Sequence, residues 1–307
     1  MQVLQQMLIF FLLMFLGMYA RSKGMLSEAN KQQLSALVVK IAYPAIVLSG
    51  VSGNGPRMQG HELLLSFGVA IALIVMVVIL GKLIPCILGY QNKYHGILNV
   101  MVVFTNIGFM GMPMIQGIYG ADAMIYMTVF LIPFNVLFYS YAIQTIQPAG
   151  AEKKKFDLRE LVNVGMGACV LAVGIYFSGM RLPYVINATI QMVGNLTAPL
   201  AMMLIGAALP DIPWRKLLHE YRLMLFVILK MLVLPTAVLL ILSRFVTNPI
   251  LLAVALCALA TPSGNMLAML AAIYNEDSFL LATEGIALTT AVSVVTMPLV
   301  AWLVGIG

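Results

Sequence analysis

The most regular feature of the chain is a series of apolar stretches, each about as long as a membrane is thick, separated by short polar loops. A helix needs roughly 20 apolar residues to cross the hydrocarbon core of a bilayer. By this measure the pattern predicts ten membrane spans. They cover residues 4–21, 34–52, 62–84, 95–117, 121–146, 161–178, 185–208, 222–243, 249–273 and 279–305. Composition agrees, because 62% of the residues are hydrophobic and only 9% are charged, whereas soluble domains carry about 25% charged residues.

Two of these spans are interrupted by small and polar residues. Span 4 contains TNIGFMGMP at residues 105–113, and span 9 contains ATPSGNM at residues 260–266. Proline removes a backbone donor and glycine permits unusual dihedral angles, so both stretches predict a broken helix. Lipid cannot satisfy the freed backbone groups, and paired breaks in the two halves of a membrane protein point to a transporter binding site. The alternative is a kinked helix that packs tightly and binds nothing.

The chain divides into two similar halves. The longest polar loop predicts a basic linker at residues 148–160, between a first five-helix repeat at 1–147 and a second at 161–307. The sequences YGAD (119–122) and YNED (274–277) match at an offset of 155 residues. Lys and Arg are concentrated in the loops that follow spans 1, 3, 5 and 7, which predicts that these loops are cytoplasmic and that both termini lie outside. Five spans per half then make the two repeats inverted.

The two breaks predict a binding site for an anion. Inverted repeats bring the breaks together, so two half-helix N-termini, each with exposed N–H groups and about half a positive charge, face one point. Such a site needs no buried Arg or Lys. Neither break contains Asp or Glu, whereas a cation antiporter is expected to carry intramembrane carboxylates there. This favours an anionic or a polar neutral substrate.

The candidate residues follow from this arrangement. The predicted substrate-binding residues are Thr105, Asn106, Gly108, Asn135, Thr261, Ser263 and Asn265. The predicted hinge residues of the crossing are Gly111, Pro113, Pro262 and Gly264. Asn135 lies near the middle of span 5, where a hydrogen bond between helices is the alternative to substrate contact.

Lys230 and Glu284 are the two charged residues deepest inside predicted spans. Glu284 is the only carboxylate well inside a span, which makes it the candidate for proton or sodium coupling. A structural ion pair between Glu284 and Lys230 is the alternative.

Several other classes of function are not expected. There is no HExxH zinc motif and no phosphate-binding loop, so neither an enzyme nor a cofactor or metal site is predicted. The three cysteines form no CxxC pair. The basic residues are spread over short loops and form no continuous face, so nucleic acid is not an expected partner.

With these residues in view, the chain resembles the auxin efflux carrier family, which includes plant auxin carriers and bacterial homologues assigned to malonate or malate transport. The resemblance rests on the ten-span layout, on TNIGFMGMP in span 4, on Pro262 with Asn265 in span 9, and on the basic linker. It implies the all-α crossed-helix fold of bile-acid symporters and sodium/proton antiporters. In that fold spans 1, 2, 6 and 7 form a scaffold and spans 3–5 with 8–10 form a moving transport domain.

The resemblance also implies roles and partners. It maps Asn106, Pro113, Asn135 and Pro262 onto the crossing and substrate region, and it implies an elevator-like mechanism and a homodimer joined through the scaffold. The expected function is therefore secondary transport of a small organic anion, such as an indole acid, malonate or malate, across the cell membrane. A ligand-binding sensor or scaffold without transport, a channel, and a cation-coupled symporter using Glu284 are the alternatives.

Overall fold

The structure is a computed structural model that describes residues 2–51, 60–148, 163–212, 217 and 219–306. Regular structure in these residues is helical, with one isolated β-bridge. The predicted linker, apart from its first residue, lies outside the described residues. The all-helical prediction is therefore confirmed for the described part of the chain.

The described residues form a succession of helices. In chain order the α-helices are α1 Gln2–Ser22, α2 Glu28–Leu37, α3 Tyr43–Ser49, α4 Gly60–Ile87, α5 Asn92–Val103, α6 Met112–Tyr119, α7 Met124–Leu137, α8 Ile143–Ile146, α9 Val164–Ser178, α10 Tyr184–Gly194, α11 Thr197–Ala208, α12 Tyr221–Ile228, α13 Leu234–Leu242, α14 Pro249–Ala260, α15 Met266–Tyr274 and α16 Phe279–Val304. The π-helical segments are π1 Val38–Ala42, π2 Ile107–Gly111, π3 Phe138–Ala142 and π4 Leu229–Val233, and short 3₁₀ helices cover Ala121–Ala123, Leu209–Asp211 and Glu276–Ser278.

In three of the π-helical segments, a proline is the second residue after the end of the segment. Pro44, Pro113 and Pro235 each stand in the first turn of the α-helix that follows π1, π2 and π4. A proline ring has no N–H and clashes with the carbonyl one turn earlier. A wider π turn before the proline relieves this clash, so the chain continues as one helix without a sharp break.

Within the described residues, seven helical stretches are long and apolar enough to cross a membrane. They are Gln2–Ser22, Ala29–Ser49, Gly60–Ile87, Met124–Ile146, Tyr184–Ala208, Tyr221–Leu242 and Glu276–Val304. Predicted spans 4, 6 and 9 correspond to shorter helices, because α5 and α14 have 12 residues each and α9 has 15. The molecule is thus a multi-pass membrane protein, and the interruptions predicted in spans 4 and 9 are present.

The second span begins earlier than predicted. The apolar pattern predicts its start near residue 34, but α2 begins at Glu28. Ser27 caps this helix, because its hydroxyl accepts a hydrogen bond from the Asn30 backbone N–H at 3.3 Å. A capping serine is sufficient to extend a helix through polar residues that hydropathy alone assigns to a loop.

The offset between the two halves is not constant along the chain. The 3₁₀ helices Ala121–Ala123 and Glu276–Ser278 are 155 residues apart, as the sequence match predicts. However, α5 ends at Val103 and α14 ends at Ala260, which are 157 residues apart. A uniform offset of 155 residues would pair Asn106 with Thr261. The ends of the two broken helices differ from this register by two residues.

Close glycine contacts hold α1 against α11. Added Cβ atoms on Gly17 and Gly206 would collide with the backbones of Met203 and Met14, respectively. The contact is reciprocal, since each helix supplies one glycine and one backbone surface. Membrane helices commonly associate through such small-residue contacts. Apolar side chains gain little by moving from lipid into protein, so close packing of the helices drives the association. Elsewhere α3 packs on α9 and α10, and α4 packs on α5 and α7.

Candidate substrate site at the crossing of two broken helices

The two broken helices meet at their interruptions. After Val103 and after Ala260 the chain leaves the helix in an extended conformation, and Thr105 and Ser263 form an antiparallel β-bridge. The Asn106 N–H donates to the Pro262 carbonyl at 2.7 Å, and the Gly264 N–H donates to the Phe104 carbonyl at 2.9 Å. Backbone groups freed by each break are thus satisfied by the other break, which is how irregular backbone is tolerated inside a membrane protein.

Thr105 caps the end of α14. In an unbroken helix the Ala258 carbonyl accepts from the N–H of residue 262, but Pro262 has no N–H. The Thr105 hydroxyl replaces this donor, because its Oγ1 lies 2.9 Å from the Ala258 oxygen. The sequence predicts Thr105 as a substrate contact, and in the structure its hydroxyl proton is donated to α14.

Ser263 has the equivalent position at the end of α5. Its hydroxyl donates to the Met101 carbonyl at 2.9 Å, and its own N–H donates to the Thr289 hydroxyl at 3.2 Å. Thr261 donates within its own chain segment, to the Cys257 carbonyl at 2.7 Å. These predicted site residues therefore hold the crossing together and offer a ligand only their remaining acceptor lone pairs.

Two helix N-termini begin at this crossing. Segment π2 begins at Ile107 and α15 begins at Met266. The Met110 N–H donates to the Asn106 carbonyl and the Leu267 N–H donates to the Gly264 carbonyl, both at 3.0 Å. Backbone N–H groups before these first bonds have no acceptor within their own helix, and they carry the positive end of the helix dipole.

Two predicted site residues have buried amide groups without a hydrogen-bond partner. The side-chain Nδ2 atoms of Asn106 and Asn135 are both buried and unpaired. Phe104 joins the regions that carry them, because its ring lies 5.4 Å from Phe134 and 5.2 Å from Phe138 on the span that contains Asn135. Buried donors without partners are uncommon in folded proteins, and each calls for an explanation such as a ligand.

The outer rim of the crossing is partly open. Asn265 is exposed and Gly108 is half-buried. Gly108 approaches an aromatic wall, because an added Cβ would lie 3.0 Å from the Tyr43 ring. Tyr43 in turn packs against Phe109, with ring centroids 5.6 Å apart.

The predicted hinge residues line the close contact between the halves. Pro113 is buried in the first turn of α6. A Cβ added to Gly111 would lie 3.1 Å from the Cys257 Cβ on α14. Glycine at this position is therefore explained by the close approach of the two helices.

The sequence does not predict that Lys230 lies at the crossing. It lies in π4 with 1% of its surface exposed, and its ammonium donates to the Thr261 carbonyl at 2.9 Å and to the Met231 sulfur at 3.4 Å. Neither of these two contacts is to Glu284, so they do not include the ion pair considered from the sequence. An anion site formed by the two helix N-termini needs no buried Lys, but the structure brings one to the crossing. Only the long-range fold brings π4 to the break, so no local sequence signal indicates this contact.

Glu284 is buried on α16, with 8% of its surface exposed. Its carboxylate acts on Tyr90, which lies in the loop between α4 and α5. The pKa of Tyr90 is raised to about 12, mainly because the phenol is buried, and the Glu220 and Glu284 carboxylates raise it further. Glu284 thus has an electrostatic neighbour at a loop between spans.

A cavity of about 380 Å³ lies elsewhere, between α4 and the span that begins with α7. Its walls are mainly apolar and include Ile74, Val78, Pro133 and Tyr141. None of the residues predicted for the crossing lines it, so cavity size alone does not locate the candidate site.

Comparison with known proteins supports the assignment to a transporter family. No curated protein matches the chain. The model of a family described as membrane transport protein matches residues 2–160 and 153–301, which together span almost the whole chain. This family includes the auxin efflux carriers, so the resemblance drawn from the sequence motifs is confirmed. The chain therefore belongs to the membrane transport protein family of the auxin efflux carriers.

Proposed function

We propose that this protein is a secondary transporter that moves a small organic anion by alternating access. The observation that carries the proposal is the crossing itself, where two half-helix N-termini begin beside the buried, unpaired amide of Asn106. Helix N-termini offer N–H donors and a positive dipole end, and the amide offers two more donors. A site rich in donors suits a ligand rich in acceptors, which is the chemistry of a carboxylate.

Charge distribution around the breaks favours an anion over a cation. Residues 104–113 and 260–266 contain no Asp or Glu. The described contacts also bring a cation to the crossing, because the Lys230 ammonium binds the Thr261 carbonyl. Malonate, malate and indole acids all satisfy these requirements, since each carries a carboxylate on a compact body.

Asn135 is proposed as a second contact. Its Nδ2 is buried and unpaired, and the neighbouring Phe134 ring packs on Phe104 beside the first break. A ligand held by both amides would rest against these aromatic rings. This arrangement suits a substrate with an apolar portion next to its carboxylate.

The proposed architecture is ten spans in two inverted five-helix repeats. Within the two proposed groups α1 packs on α11, α3 packs on α9 and α10, and α4 packs on α5 and α7, while α7 with α9 and α1 with α16 pack across the proposed boundary. The first group corresponds to the scaffold of spans 1, 2, 6 and 7, and the second to spans of the transport domain. Elevator-type movement of the transport domain, a homodimer joined through the scaffold, and a cell-membrane location with both termini outside complete the proposal.

The proposal is tested by counterflow of radiolabelled malonate, malate and indole-3-acetate in proteoliposomes containing the full chain. A transporter exchanges external label for internal substrate, whereas a sensor or scaffold that only binds gives no exchange. Flux that rises linearly with concentration and never saturates would identify a channel. Failure of all three carboxylates to exchange would contradict the proposed substrate class.

Asn106 is tested with Asn99 as its matched control. Both asparagines are buried on the same span, but the Asn99 amide is satisfied: it donates to the Val78 carbonyl at 3.1 Å and accepts from the Tyr141 hydroxyl at 2.8 Å. We expect Asn106→Ala to abolish exchange while leaving the melting temperature unchanged or higher, because an unpaired buried donor is removed. Asn99→Ala should lower the melting temperature and retain exchange in the folded fraction. Unchanged exchange in Asn106→Ala would exclude its role in binding.

A further inference from the structure

The buried ammonium of Lys230 lies at the negative end of a broken helix. Thr261, whose carbonyl accepts from Nζ at 2.9 Å, directly follows the last residue of α14. The C-terminal end of a helix carries about half a negative charge, spread over its free carbonyl groups. The ammonium is therefore compensated by the helix end, as an uncompensated charge within a membrane is strongly disfavoured.

The end of the other broken helix is capped without any charge. At α5 the Met101 carbonyl accepts from the Ser263 hydroxyl, and the Phe104 carbonyl accepts from the Gly264 N–H. The two helix ends contribute partial negative charge and the two beginnings contribute partial positive charge at separate points of the crossing, so the four termini together add little net charge. Lys230 in its protonated form adds one positive charge to the crossing.

We propose that Lys230 is an internal cation of the crossing, tethered where a mobile cation would otherwise be needed to balance an anionic substrate. The inference builds on the proposed function, because it gives the anion its counter-charge without a bound sodium ion. Lys230 lies in π4, which packs against α16, and the charged residue of α16 is the buried Glu284. Lys230 acts as a positioning residue through the Thr261 carbonyl, to which its ammonium donates.

The proposal is tested first without any substrate, on the purified full-length protein. Lys230→Ala deletes the side chain beyond Cβ, which corresponds in size and charge to propylammonium. We expect this variant to melt at a lower temperature than the wild type, and propylammonium chloride to recover most of the loss. 1-Propanol, which fills the same volume without charge, should not recover it, and neither should choline chloride at the same ionic strength.

Lys40→Ala is the matched control, because Lys40 also lies in a π-helical segment, π1, but is exposed. Neither this variant nor the wild type should respond specifically to propylammonium. If Lys230→Ala yields no folded protein, the Lys230→Arg and Lys230→Met variants are compared. A Lys230→Arg variant that folds and a Lys230→Met variant that does not fold support the proposal. Equal recovery by propylammonium and 1-propanol, or a Lys230→Met variant as stable as the wild type, would overturn it.

Transport provides the second readout. Malonate counterflow by the wild-type protein should be the same in sodium and choline buffers, and flux lost in Lys230→Ala should return with propylammonium. Sodium-dependent flux in the wild type would contradict the role of Lys230 as the internal cation. Absence of malonate exchange in the wild type would instead count against the proposed function for this substrate, while the melting experiment still decides the role of Lys230.

Discussion

The reciprocal hydroxyl caps at the crossing give the sharpest stability prediction. The Thr105 hydroxyl donates to the Ala258 carbonyl and the Ser263 hydroxyl donates to the Met101 carbonyl, each at 2.9 Å. Both side chains are buried, with 4% and 0% of their surface exposed. Thr105→Val and Ser263→Ala each remove one donor while keeping most of the side-chain volume.

The expected cost follows from the carbonyls that are left unpaired. A buried polar group without its partner costs about 1–3 kcal/mol, whereas hydrogen bonds between membrane helices average about 0.6 kcal/mol and reach about 1.7. We therefore expect each substitution to lower the free energy of unfolding by about 1–2 kcal/mol. Because both bonds hold the same crossing, the double variant should depart from additivity by about 0.5 kcal/mol or more.

The role of Pro262 supplies an internal check. Thr105 is needed because residue 262 has no N–H to give to the Ala258 carbonyl. In a Pro262→Ala background the backbone can supply this donor, so Thr105→Val should cost less there than in the wild type. Equal costs in the two backgrounds would refute the explanation.

The measurement is reversible unfolding of the purified protein in mixed micelles titrated with a denaturing detergent. Thr283→Val is the control, because the Thr283 hydroxyl also donates to a carbonyl at 2.9 Å but is exposed and bonds within its own helix. It should change stability by less than about 0.5 kcal/mol. If Thr105→Val and Ser263→Ala are as mild as this control, the hydroxyls do not hold the crossing.

Three further predictions concern packing, backbone strain and coupling. Gly206→Val should strongly lower the melting temperature and expression, because its Cβ would collide with the Met14 backbone, whereas Gly174→Ala, which meets nothing within 4 Å, should be neutral or stabilising. Gly120→Ala should cost about 1–3 kcal/mol in unfolding free energy, because Gly120 has φ +80° and ψ −177°, a conformation nearly exclusive to glycine. If Glu284 couples transport to protons or sodium, Glu284→Gln should abolish the pH or sodium dependence of counterflow; unchanged dependence would make it structural.

Parts of the site follow from local chemistry and are readable in the sequence. Pro262 lacks an N–H wherever it occurs, and small and polar residues interrupt both apolar stretches, so the interruptions in spans 4 and 9 were predictable. Pro113 does not form the break itself, because span 4 is interrupted after Val103 and π2 continues into α6. The unpaired amide of Asn106 also lies within the break that the sequence predicts. The start of α2 was missed because a capping interaction at Ser27 outweighs the polarity of the residues after it.

Other parts depend on which segments meet in space. Thr105, Ser263 and Thr261 were expected to contact substrate, yet their hydroxyl protons are used to complete helix ends. A hydroxyl can serve either purpose, and only the approach of the opposite carbonyl decides between them.

The sequence by itself determined a multi-pass helical membrane protein with two interrupted segments, because hydropathy, proline and glycine act locally and do not depend on distant residues. Only the tertiary structure decided which groups of the protein those interruptions contact. It paired Thr105 with Ser263 and brought Lys230 to the Thr261 carbonyl, across 31 positions of the chain. In a low-dielectric interior a charge takes whichever compensating group the fold presents, and here that group is the end of α14, whose proximity to Lys230 no sequence motif marks.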